Sequence, residues 1–168
     1  MSNAKTEHTM KNFNFKITLL HFFGILLIIY GFQRFFYVFH VEEILYLSKN
    51  INDIERTKTI KVLDDFLWNR LYLAFIIATI GLFFIAYMNW KNKSHINTLI
   101  VFLFLLLTFF SGIIFNNTIS QNFIYLEKLF GKNYRFGYFA CGMLLCLVGS
   151  LFILKSIRIQ NSTAHNSG

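Results

Sequence analysis

The sequence predicts an all-α protein, an integral membrane four-helix bundle with a short amphipathic helical segment in its first outer loop. Three observations lead there. Apolar residues make up 55% of the 168-residue chain and charged residues only 14%, whereas a soluble domain carries about 25% charged residues. A soluble domain of this size exposes too much surface to hide so many apolar side chains. Finally, the uncharged stretches are about as long as a bilayer crossing requires, about 17–25 residues, and they are apolar on all sides rather than alternating.

The elements follow in chain order. Residues 1–12 are polar and are expected to be a disordered tail. The first span is placed at 17–40, after Lys5, Lys11 and Lys16. No small-residue cleavage site follows it, so it is expected to stay uncleaved. Residues 41–70 form the first outer loop. Ile44, Leu47, Ile51 and Ile54, then Ile60, Leu63 and Leu67, recur at helical spacing on a charged background. Two short amphipathic helices are expected there, broken near Asn50–Asn52 or Thr57–Thr59. The second span is placed at 71–90, entered through Trp68 and Arg70 at the headgroups.

The third span is placed at 96–115, because the polar run 116–122 is suited to leaving the membrane. An outer loop follows at 116–136, with a short apolar patch at 123–126 and Gly131 as a turn. The fourth span is placed at 137–154. A single membrane domain thus covers 13–159, and residues 160–168 are read as a second disordered tail. Flanking Lys and Arg divide seven against eight between the two sides. The three Lys before the first span and the acid-free turn at 91–95 favour cytoplasmic N- and C-termini in a cell membrane.

Lipid supplies no hydrophobic drive between helices, so small residues should mark the contacts. Gly24 and Gly31 lie one heptad apart on the first span. The second offers Ala74, Ala78 and Gly81, the third Thr108, Ser111 and Gly112, and the fourth Gly142, Cys146 and Gly149. Cys141 and Cys146 sit five residues apart in one apolar run, too far around a helix for an unstrained disulfide. Tyr30, Asn89 and Thr108 are candidate interhelical hydrogen-bond formers, and His21 is a satisfied polar residue or faces a cavity.

Arg34 is the most informative position, a charge inside the first apolar helix. One reading has its stem snorkel to the headgroups. The other makes it a buried anchor for an acid, with Asp64, Asp65 and Glu127 as candidates, or for an anionic ligand, with Gln33 and Tyr37 adding hydrogen bonds. The candidate polar cluster is therefore Arg34, Gln33, His40, Asp64 and Asp65. The acidic pairs Glu42-Glu43 and Asp64-Asp65 share their segment with basic residues, which favours solvated ion pairs over a cation site.

No nucleotide-binding loop, zinc-protease motif or metal-ligand spacing occurs, so no cofactor, metal or catalytic residue is assigned. The basic residues flank apolar runs and are read as topological anchors, not as a nucleic-acid surface. The expected partners are the lipid bilayer and another membrane protein, or a second copy of the chain. The expected function is that of a non-enzymatic accessory, assembly or interaction subunit. An oligomeric channel or small transporter is the first alternative, and an enzyme acting on a lipid-type substrate at the outer face is the second.

Overall fold

The computed structural model describes residues 13–50, 56–112, 127–131 and 133–165. Five helices account for almost all of them: α1 (Phe15–Phe39), α2 (Val41–Asn50), α3 (Arg56–Lys91), α4 (His95–Phe110) and α5 (Tyr134–His165). The architecture is the expected all-helical bundle. Three helices, α1, α3 and α5, are long and apolar enough to cross a membrane. The fourth, α4, is as apolar but has 16 residues, about 24 Å of helix against a hydrocarbon core of about 30 Å.

Local chemistry sets the helix ends. The Asn14 side chain accepts a hydrogen bond from the Ile17 amide at 3.2 Å and caps α1. α1 stops at His40, whose amide and Nδ1 both donate to the Phe36 carbonyl. α2 then begins at once, with Glu42 and Glu43 in its first turn, where a helix dipole favours acids. The segment 56–70 is not a separate amphipathic helix. It is continuous with the second span in one helix of 36 residues, because neither Gly nor Pro interrupts 56–80. Thr57–Thr59 therefore lie within a helix, while α2 ends at Asn50, in line with the other expected break, near Asn50–Asn52.

Two further boundaries differ from expectation. α4 ends at Phe110, ahead of the residue 115 expected from hydropathy. Gly112 adopts φ +68° and donates to the Phe109 carbonyl, a left-handed stop that glycine takes without strain. Ser111 and Gly112 are thus a helix terminus and not part of a packing stripe. At the other end of the chain, α5 runs on to His165, through residues expected to be a tail. No Gly or Pro lies between 150 and 165, and Gln160 is buried against its neighbours. The expected tail 1–12, the polar exit 116–122 and the patch 123–126 lie outside the described residues.

α1 is the central helix and packs on α3, α4 and α5. It is antiparallel to α5 across two reciprocal glycine contacts. A Cβ on Gly24 would lie 3.0 Å from the Gly149 carbonyl oxygen, and one on Gly149 would lie 2.7 Å from that of Gly24. Gly31 and Gly142 face each other in the same way at 2.9 Å. The heptad spacing on α1 matches that on α5, so the two backbones touch twice along one seam. Ile25, Ile29, Ala74, Ala78, Ile85, Val101, Leu105 and Ile153 fill the core between α1, α3, α4 and α5.

The end of the bundle that carries the start of α1, here the near end, is tied by uncharged polar groups. Asn97 on α4 accepts hydrogen bonds from the Asn14 amide at 3.1 Å and from Thr18 at 3.2 Å. Asn89 on α3 donates to Thr98 at 2.8 Å and accepts from Gln160 of α5 and from Ser94. Asn92 donates to Gln160 at 2.9 Å. Asn89 therefore forms the interhelical bonds expected of it. Thr108 instead donates to the Leu105 carbonyl of its own helix. His21 is wholly enclosed, and neither ring nitrogen has a hydrogen-bond partner.

Candidate functional site

The opposite, far end of the bundle holds the charged side chains enclosed between helices. Arg34, five residues before the end of α1, is 3% exposed. This decides between the two readings of that residue. A snorkelling arginine keeps its head in water, whereas this guanidinium meets Glu127 at 3.0 Å, with both side chains under a tenth exposed. Glu127 lies in helical residues, 127–129, just ahead of α5. Its carbonyl oxygen would be 2.9 Å from a Cβ on Gly137, so that glycine lets this segment settle onto α5.

Arg70 joins from α3. It was expected to meet the headgroups but is only 6% exposed. Its guanidinium carbon lies 5.7 Å from the Tyr37 ring centroid, and that of Arg34 lies 5.1 Å from the same ring. Both cations thus face one aromatic side chain, an attractive arrangement when it is desolvated. Phe66, one turn before Arg70, stacks on Tyr37 at 5.9 Å, and Tyr138 of α5 meets Tyr37 edge-on at 5.5 Å. On α1, Tyr30, Gln33, Arg34 and Tyr37 fall within about 100° of helix circumference at 100° per residue, so one face presents them all. Gln33 is 3% exposed, and its side-chain nitrogen has no hydrogen-bond partner.

The structure brings together only part of the expected cluster. Arg34 and Gln33 are in it. His40 is beside it: its ring stacks on Phe36 at 3.9 Å, meets Phe66 edge-on and approaches Glu43 at 3.9 Å, so it serves the junction between α1 and α2. Asp64 and Asp65 are exposed on α3, and none of the ion pairs among the described residues includes them. Of the three carboxylates considered for Arg34, the partner is Glu127. Glu42 pairs with Arg135 at 3.0 Å, with both side chains more than half exposed. No group of three or more His, Cys, Asp or Glu side chains converges among the described residues.

Arg70 is the member that sequence reasoning missed, although a signal was present. The small residues Ala74 and Ala78 mark the buried face of α3. Counting back in fours from them reaches Arg70 and Phe66, which are both buried. The same count leaves Asp64 and Asp65 off that face.

Burial raises the Glu127 carboxyl above the usual carboxylate range, and the Arg34 guanidinium offsets only part of that rise. The sign of the pH effect follows. A raised folded-state value means that the folded chain holds a proton which the unfolded chain has already lost. The contribution of Glu127 to stability is therefore full below the ordinary value of about 4.3 and falls as pH climbs through the raised one. Glu127→Gln is expected to flatten the pH dependence of unfolding across this mildly acidic range. Parallel unfolding curves for wild type and variant at each pH check this, and an unchanged slope would count against it.

The arrangement supplies two desolvated cations, one carboxylate and three tyrosines, held by four separate segments of the chain. Its chemistry is that of an interhelical clamp. The chain matches no protein-family model, no curated protein and no solved structure.

Proposed function

We propose that the chain is a four-span, multi-pass protein of the cell membrane, with both ends cytoplasmic. In this reading it is a non-enzymatic accessory or assembly subunit that holds another membrane protein through its 41–70 segment. Support for the fourth crossing comes from chain direction. α3 finishes at the near end and α5 starts at the far end, which supports reading α4 as the start of a return crossing. Lys5 and Lys11 ahead of α1, with Lys16 in its first turn, favour a cytoplasmic near end.

One observation carries the functional reading. α3 has 36 residues, about 54 Å of helix, and exceeds even a bilayer with headgroups at about 40–45 Å. Its first turns therefore stand clear of the membrane. Yet Ile60 and Leu63 are 59% and 38% exposed there, Leu67 follows at the headgroup level at 45%, and Leu45 of α2 is 42% exposed. Apolar side chains left open beyond the hydrocarbon layer mark an interaction surface. The enclosed charges, by contrast, are occupied in holding the bundle.

A photo-crosslinking residue at Leu63, activated in native membranes, tests this. The expected product is one dominant protein adduct, reduced by charged substitutions at Ile60 and Leu67. Adducts to lipid alone would end the accessory reading. The competing reading of an oligomeric anion path draws on Arg34 and Arg70. Anion flux in proteoliposomes that disappears in Arg34→Leu would favour it.

A further inference from the structure

The far-end clamp and the 41–70 surface leave one feature unused, an open groove between α3 and α4. It encloses about 540 Å³ and runs from Trp90 and His95 at the near end to Phe75 and Phe109. The fifteen helical steps of α3 from Phe75 to Trp90 make it about 22 Å long, more than the thickness of one leaflet, about 15 Å. Thr79 and Thr98 bring the hydroxyls among its lining residues. Both are engaged: Thr79 donates to the Phe75 carbonyl and Thr98 accepts from Asn89. The walls therefore offer an occupant hydrocarbon contact and little else.

The mouth has different chemistry. The turn between α3 and α4 reads Trp90-Lys91-Asn92-Lys93-Ser94-His95, and no Asp or Glu occurs anywhere from 66 to 126. Lys91, Lys93 and His95 are exposed. The turn is also held in shape. Lys93 adopts φ 53° and its amide donates to the Trp90 carbonyl at 3.0 Å, while Asn92 is tied to Gln160. His95 meets the Trp90 ring edge-on at 5.4 Å, an aromatic pair suited to the headgroup level. An apolar channel of leaflet length, opening beneath a fixed acid-free basic turn, is complementary to one class of molecule. We infer that the groove binds an anionic phospholipid, with an acyl chain along α3 and α4 and the phosphate at Lys91, Lys93 and His95. Basic pockets between membrane helices hold lipid headgroups in this way.

The test uses the full chain, reconstituted in phosphatidylcholine with a minor fraction of phosphatidylglycerol, then extracted in mild detergent and weighed with its bound lipid. The expected result is retained phosphatidylglycerol, enriched about tenfold over its share of the bilayer. Lys91→Gln with Lys93→Asn changes exposed side chains, and asparagine tolerates the positive φ at 93. This variant should keep a lipid but lose the enrichment. Ala86→Phe, which fills the groove, should lose the lipid itself. Free glycerol phosphate should not displace it, which separates a lipid site from a simple phosphate site. Retention of both lipids in bulk proportion by wild type would overturn the inference. Displacement by glycerol phosphate would do the same, as would disulfide-linked dimers formed through Ala86→Cys, which place a second copy in the groove.

Discussion

Glu127→Leu is expected to cost the fold about 3–5 kcal/mol, because it takes away the carboxyl oxygens, charged or protonated, that the enclosed Arg34 guanidinium meets. Arg34→Leu should cost less. A stranded carboxyl can take up a proton and lose its charge, whereas arginine stays protonated at any workable pH. The double variant, Arg34→Leu with Glu127→Leu, should return most of the loss, since two apolar groups of similar volume need no partner. Arg135→Leu is the control. Its pair with Glu42 is exposed on both sides and should contribute about 0–1 kcal/mol. Lys128→Leu, at an exposed position beside Glu127, should likewise change little. Denaturant unfolding in detergent micelles, run as a double-mutant cycle, gives all of these values on one scale. Additive losses in the double variant would show that the pair is not a unit, and equal melting of the Arg34 and Lys128 variants would remove the buried anchor altogether.

The asymmetry between the two singles has a structural cause. Arg34 is fixed by α1, the helix that touches all the others, while Glu127 arrives on the segment ahead of α5. Their pairing joins the entry to α5 to the centre of the bundle. Tyr37 extends the connection to α3, through Phe66 on its ring and Arg70 close by. Removing Glu127 therefore loosens the docking of its segment and takes a carboxylate away from two cations that share one aromatic ring.

These features were legible in the sequence to different degrees, for identifiable reasons. Uncharged runs located the long apolar helices because hydrocarbon admits few other solutions. Hydropathy cannot see where a helix stops. The stop of α4 depends on Gly112 taking a left-handed φ, and the continuation of α5 depends on Gln160 finding Asn89 and Asn92 across the bundle. Glu127 stood among three candidate partners for Arg34, since only tertiary packing chooses among carboxylates on one side of a membrane. Arg70 was obscured by a rule about headgroup anchors, although its register with Ala74 and Ala78 pointed inward. The spacing of Gly24 and Gly31 carried the clearest structural message, because a heptad repeated on α5 by Gly142 and Gly149 leaves a pair of antiparallel helices one natural way to meet.

The largest effect in the apolar interior is expected at that seam. In Gly149→Ala the new methyl would face the Gly24 carbonyl oxygen at 2.7 Å and the Ile28 amide nitrogen at 3.2 Å. Both are backbone atoms of a continuous helix and cannot swing away, so α1 and α5 must separate along their length. The cost should reach or exceed the upper end of the 1–3 kcal/mol usual for overpacking. Gly142→Ala meets the Gly31 carbonyl and the Phe35 ring at 2.9 Å and should cost nearly as much, the ring being able to yield in part. Gly81→Ala is the informative contrast. Its methyl would meet only side-chain carbons of Ile25, at 3.1–3.4 Å, and alanine favours the helix over glycine by about 1 kcal/mol, so its net effect should lie near zero. Thermal unfolding in one detergent ranks the three. If Gly81→Ala proved as damaging as Gly149→Ala, backbone approach would not be what holds α1 to α5, and side-chain packing around Ile25 would have to take its place. The expected order follows from what each methyl strikes: two backbone atoms and the Ile28 side chain at Gly149, one backbone atom and a ring at Gly142, and the Ile25 side chain at Gly81.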